Sequence, residues 1–231
     1  MCKRSRYNHN LRLHHEPTYK GFNLWKKNSP YFGNFLDNLH GTIQRSLRSQ
    51  PRTLAVVFCL HMPFNSRRNI ERNPITDFME YLKRGIKSHA NMKRQLGKRV
   101  HPCFLEYVVK VEQKVECPLE HYHVVLLLNK DEYYHVGNLS HLDQSILGQI
   151  IRKAWLKVHK IDENSPVALV HGSNPSSIVI QGEFSPVVEE HQAAFRWLSY
   201  LCKEETTKYQ GRHQSFYTSN AYTKAPVNSP N

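Results

Sequence analysis

Two apolar runs constrain this chain more than any other feature: Leu54 to Leu60 (LAVVFCL) and Val124 to Leu128 (VVLLL). Both are far too short to cross a bilayer, which takes about 20 apolar residues in a helix. Each is bounded by turn or polar residues and leaves no polar position for water, so each reads as a strand buried on both faces.

The segments around them alternate between helical and strand spacing. Phe35, Leu36, Leu39, Ile43 and Leu47 make a helical stripe over residues 34–49. Asn73 and Pro74 are an N-cap and first-turn pair for a helix of about 20 residues, with Ile75, Phe78, Met79, Leu82 and Ile86 inward. CFLEYVVKVEQ (residues 103–113) reads as a strand with Leu105, Tyr107, Val109 and Val111 on one side, joined through Pro118 to residues 119–129 as a hairpin. A helix over roughly 140–158 is predicted to start at Ser140, with Asp143 three residues on. VALVHG and SSIVIQGEF supply short strands, and Ser185–Pro186 is the expected cap of a last helix running to about residue 206. This order predicts an α+β domain over residues 34–220. It is an antiparallel sheet of about five strands with helices on one side, ferredoxin-like in character. Residues 1–33 read as a basic, extended arm ordered on binding, and residues 221–231 as a disordered tail.

Charge narrows the class of partner. Residues 1–100 hold 20 Lys and Arg against 5 Asp and Glu, while residues 101–231 hold 12 against 14. A surplus so concentrated points to a polyanion, most commonly nucleic acid. The outer face of the helix after Asn73 carries Lys83, Arg84, Lys87, Lys93 and Arg94, which makes these residues candidate DNA contacts. The five cysteines are scattered and form no CxxC pair, so neither a disulfide framework nor a thiolate zinc site is expected. The basic N-terminus lacks an apolar h-region. A reducing cytoplasm, with no membrane partner, suits this composition.

The chemistry gathers at LEHYHVVLLLN, residues 119–129. Side chains two apart on a strand share a face about 6.5–7 Å apart at the backbone, so His121 and His123 can turn toward one ion. With 15 histidines in 231 residues a His-x-His pair arises by chance; its place at the mouth of a buried strand is what gives it weight. Glu112, across the hairpin, can add a carboxylate, with Gln113, Glu116 and Glu120 close by as rival candidates. Two imidazoles and one carboxylate leave coordination positions open, as catalytic rather than structural sites do. In FRWLSYLCKE, Ala194, Trp197, Leu198 and Leu201 form an apolar stripe. Tyr200 falls off it, on the face of Arg196 and Lys203.

HYHVVLLLN resembles the His–hydrophobe–His motif of HUH endonucleases, with Tyr in place of the usual aliphatic residue, and YLCK resembles their Tyr-x-x-Lys helix. PRTLAVVFCLHMP, VEQ…EHYHVVLLLNKDEYYHVG, WLSYLCK and QSFYTSN together resemble the YagK/YfjJ-type domain family, replication-initiator-like proteins of filamentous phages and prophage elements. QSFYTSN departs from the pattern at Tyr217 and Asn220, where Gly and Arg are expected. The resemblance implies an HUH Rep-type fold and rolling-circle initiation on single-stranded DNA. It assigns His121, His123 and Glu112 to a divalent metal (magnesium or manganese), Tyr200 to nucleophilic attack with Lys203 beside it, and Arg196 to DNA. No GxxxxGK[ST] phosphate loop is present, so unwinding and synthesis call for a host helicase and polymerase. Two other readings stand beside this one: a non-catalytic nucleic-acid-binding regulator, and a protein whose histidines hold a structural ion or none.

Overall fold

A computed structural model describes residues 4–25, 29–64, 73–113, 119–134, 145–205, 207, 214–220 and 226–230. The two apolar runs lie side by side at the centre of a five-stranded antiparallel sheet. β5 (Arg52–His61) pairs with β7 (His121–Asn129) from Thr53↔Asn129 to His61↔His121. β7 pairs in turn with β6 (Glu106–Glu112), closing the expected hairpin at Glu112↔His121. β8 (Val170–Gln181) and the short β9 (Phe216–Thr218) complete the order β8-β5-β7-β6-β9. The two segments expected as separate short strands are the two ends of β8, whose register against β5 shifts between Val56 and Phe58.

Helices cover both faces of this sheet, not one. On one face, α2 (Pro74–Gln95) and α3 (Ile146–Val158) pack on Val56, Phe58, Val109, Val124 and Leu126. On the other, α1 (Gly33–Ser49) and α4 (Glu189–Leu198) pack on Ala55, Val57, Val108, Val125 and Leu127. The physical reason lies in the apolar runs themselves. A strand with Val or Leu on both sides loses about 1.5–3 kcal/mol for each such side chain left in water, so both sides must be covered.

Local signals explain most boundaries. The Asn73 side chain accepts from Ile75 N at 3.0 Å, capping α2 as expected. Ser145 caps α3 through Gly148 N at 3.0 Å; Ser140 and Asp143, the expected start, lie outside the described residues. Ser185 caps no helix. Its hydroxyl accepts from Val187 N in a local turn, and α4 begins at Glu189 without a side-chain cap. Nor does α4 reach residue 206. After Leu198 it tightens into a 3-10 turn, Ser199–Cys202, where Ser199 Oγ donates back to the Arg196 carbonyl at 2.8 Å.

The N-terminal segment is folded onto the domain rather than extended. β1 (Leu13–His14) pairs with β4 (Tyr31–Phe32), and β2 (Thr18–Tyr19) with β3 (Phe22–Asn23). Phe22, Leu24, Tyr31 and Phe32 are buried in the α1/α4 layer, and Phe22 lies 4.6 Å, centroid to centroid, from Phe195. The aromatic residues that dot this basic stretch are what anchor it. Of the expected disordered tail, residues 226–230 are described. Asn228 is buried there, its Oδ1 accepting from Cys103 N at 3.0 Å. Among the described residues no helix is long and apolar enough to cross a membrane.

Candidate metal centre and its tyrosine

Sheet register builds the site. Cys59, His123 and Lys110 form one row across β5, β7 and β6; His61, His121 and Glu112 form the next. All of them point to the α1/α4 face, because Val125, Val57 and Val108 of the same alternation do. Strand pairing thus brings Glu112 directly opposite His121 and beside His123.

One donor atom from each of Glu112, His121 and His123 lies within 4.8 Å of the other two. Glu112 Oε2 is 3.1 Å from His123 Nε2 and 3.4 Å from His121 Nε2. The other oxygen, Oε1, is 3.5 Å from both Lys110 Nζ and Lys203 Nζ and makes no well-formed hydrogen bond. Glu112 is nearly inaccessible to water. Its burial pushes the carboxyl pKa up, but hydrogen bonds from His121 and His123, then the charges of His123 and Lys110, outweigh this and hold it well below the usual range. His123 Nδ1 sits 3.0 Å from Cys59 Sγ, an outer contact that orients the ring and leaves Nε2 facing the carboxylate. Two imidazole nitrogens and a carboxylate oxygen that converge, with buried acceptor capacity to spare, fit a divalent cation. Of the neighbouring candidates, Glu120 is turned to Tyr122 Oη (2.6 Å) and Glu116 lies outside the described residues.

Tyr200 meets this cluster from the 3-10 turn. Its ring centroid is 6.1 Å from that of His123, and its hydroxyl accepts from Lys203 Nζ at 2.5 Å. Lys203 Nζ therefore lies between the phenol and Glu112, with the ammonium also 3.9 Å from the Tyr200 ring centroid. Tyr217 packs with the α2/α3 layer, across the sheet from the histidines; Tyr209 and Tyr222 lie outside the described residues. Arg196 stands one helical turn before Tyr200.

The remaining basic candidates are elsewhere. Lys83, Arg84, Lys87, Lys93 and Arg94 belong to α2, on the opposite face from the histidines and Tyr200. Two of them are already engaged: Lys93 Nζ binds the buried Glu132 at 2.7 Å, and Arg94 reaches Asn91 at 2.8 Å and the Asn228 carbonyl. Helical periodicity gives a residue's face on its own helix, but not the layer to which that helix belongs.

Several members of the cluster escaped sequence reading. Lys110 is wholly buried, and its Nζ donates to the Lys203 carbonyl at 2.5 Å. Burial pulls its pKa down to about 8 against the pull of Glu112. A lysine inside the run VVKVE, two residues before Glu112 and so on its face, was the available signal. Cys59 is more than the small hydrophobe it resembles: burial, then the Glu112 charge, pushes its thiol up to about 12, so it contacts His123 as a neutral group. His61 stacks on His121 at 5.8 Å and meets His171 edge-on at 4.8 Å. Its pKa is lowered to about 4 by burial and then by His171, His121 and His123.

The comparisons with known proteins agree with the motif blocks. The chain is 28% identical over 164 residues to the uncharacterized protein YagK of Escherichia coli (strain K12), covering 68% of this chain and 77% of that protein. No solved structure matches. The YagK/YfjJ C-terminal domain matches residues 14–219, a span that begins within β1 and takes in the other N-terminal strands, every strand of the sheet and the Tyr200 turn, and the chain belongs to the YagK/YfjJ C-terminal domain family.

Proposed function

We propose that this protein is a metal-dependent, tyrosine-using nickase of single-stranded DNA, a replication initiator of the HUH Rep type acting in rolling-circle replication. One observation carries the reading. The Tyr200 hydroxyl, the Lys203 ammonium and the Glu112/His121/His123 cluster converge on one face of the sheet although they come from three separate parts of the chain.

A phenol with an ordinary pKa of about 10 is a weak nucleophile at neutral pH. The Lys203 hydrogen bond stabilises the developing phenolate, and the buried Lys110 holds the Lys203 backbone, fixing the turn. Tyr200 Oη forms a bond to phosphorus while the bond from phosphorus to the 3′-oxygen breaks. The departing oxygen takes up the phenolic proton, leaving a 5′-phosphotyrosine and a 3′-hydroxyl that can prime synthesis. A divalent cation (magnesium or manganese) on Glu112, His121 and His123 would supply Lewis-acid polarisation of the scissile phosphate. Host helicase and polymerase would complete the reaction cycle. The five-stranded antiparallel sheet with its metal-binding pair on a central strand supports the HUH assignment.

Tyr200→Phe removes only the hydroxyl and keeps the ring against His123 and Lys203. With a labelled origin-like oligonucleotide and manganese, the parent should give a covalent adduct on a denaturing gel and Tyr200→Phe none, with oligonucleotide binding retained. An adduct that persists in Tyr200→Phe would assign attack to another residue. A parent that binds but never forms an adduct would leave the regulator reading.

A further inference from the structure

Two exposed aromatic side chains are tied to the turn that carries Tyr200. Trp25 is 42% exposed and Tyr7 59% exposed. Each has an arginine over its ring: Arg196 Cζ is 4.1 Å from the Trp25 ring centroid, and Arg6 Cζ is 4.9 Å from that of Tyr7. The Trp25 carbonyl accepts from Tyr31 Oη at 2.7 Å, and Tyr31 forms a β-bridge with Lys203. The adjacent Pro30 carbonyl accepts from Glu204 N at 3.0 Å. Arg196 precedes Tyr200 by four residues, about 6 Å along a helix axis. At the other anchor, buried Ser5 donates to Glu204 Oε1 at 3.0 Å, so Arg6 and Tyr7 leave the domain one and two residues from that contact.

We infer that Trp25 and Tyr7 are stacking platforms for nucleobases flanking the phosphate that Tyr200 attacks, with Arg196 and Arg6 bracing the rings and meeting the DNA backbone. Proteins that hold single strands without reading their sequence combine cationic surface with aromatic faces on which bases stack. Two separate aromatic rings, each under a guanidinium, match that chemistry better than a protein interface, which would present a contiguous apolar patch. Reaction also demands it. A flexible strand must be fixed on both sides of the scissile phosphate to within a fraction of an ångström, and nothing in the Glu112/His121/His123 cluster grips a base. The inference rests on the reading of single-stranded DNA as substrate.

The test is binding of labelled oligo(dT) of about a dozen nucleotides, in chelator so that no cutting occurs, by fluorescence anisotropy. Trp25→Ala and Tyr7→Ala should each weaken binding about 5- to 150-fold, the worth of one stacked base. The salt slope should not change, because no phosphate contact is lost. Trp25→Phe, which keeps an aromatic face and guards against a folding artefact, should retain most of the affinity. Oligonucleotides with a single abasic site should lose affinity for the parent at two positions, and each Ala variant should be indifferent at one of them. Variants that bind like the parent, or keep both abasic sensitivities, overturn the inference. If that happens while the parent still forms its Tyr200 adduct, the stacking platforms fall and the nicking reading stands. If the variants lose affinity as described but no adduct ever forms, the platforms stand and the nicking reading falls. A parent that does not bind oligo(dT) overturns both.

Discussion

Glu112→Gln tests how the buried charges of the centre are balanced. The substitution keeps shape and removes the carboxylate whose Oε1 lies 3.5 Å from both Lys110 Nζ and Lys203 Nζ. Breaking a buried ion pair usually costs about 3–5 kcal/mol because the partner is left charged in a poor solvent. Lys110 has an escape that reduces this. Its pKa in the folded protein is already down to about 8, from 10.5 in the unfolded chain. At pH 7 it can shed its proton for about 1.4 kcal/mol, one pKa unit's worth, and keep its hydrogen bond to the Lys203 carbonyl. Lys203 keeps its contact with Tyr200, and the imidazoles, each with an edge open to solvent, can turn to water. The expected loss is therefore about 1.5–3 kcal/mol at pH 7.

The sign of the pH dependence follows. Between pH 8 and 10.5 the unfolded parent binds more protons than the folded parent, so stability rises with pH there. Without Glu112 the folded pKa of Lys110 drops further, so the rise begins at lower pH and the variant gains more between pH 7 and 9. The gap between parent and variant should narrow by about 1 kcal/mol over that range. In a Lys110→Met background the narrowing should disappear. Urea unfolding with chelator present, at pH 7 and 9, measures all four proteins. A gap independent of pH, or one above about 5 kcal/mol at both pH values, would refute the proton escape of Lys110.

Replacing both His121 and His123 by Ala should abolish manganese binding in a calorimetric titration while leaving the unfolding transition in place, since both rings stand at the rim of the core. Replacing Lys83, Arg84 and Lys87 by Ala should leave adduct yield and the salt dependence of short single-strand binding unchanged, because α2 lies across the sheet from Tyr200; a flatter slope would put α2 on the binding surface. Gly85→Ala should destabilise the fold by about 1 kcal/mol in urea despite the better helix former, because the new Cβ would meet Ile150 Cγ2 of α3 at 2.7 Å.

Much of this protein was decided locally, and so is legible in sequence. The apolar runs, the Asn73–Pro74 start and the alternation of residues 105–111 fix their elements through periodicity and capping, which depend on near neighbours. That Glu112 lies across a hairpin from the histidines was legible too; its place directly opposite His121 was not, because residues 113–120 make a connection too long to set the register. What only the tertiary structure decided concerns layers and long-range burial. The two-faced central strands demanded cover on both sides, but no local pattern says which helix takes which side. So the basic stripe of α2, sound as a helix face, lies away from the histidines. The N-terminal segment looks like an arm because its charges dominate its composition; its few aromatics dominate its energy once α1 and α4 offer a surface. Lys110 looks like a solvated lysine until Glu112, Lys203 and the sheet close around it, since the environment of a buried charge is made by residues far away in the chain.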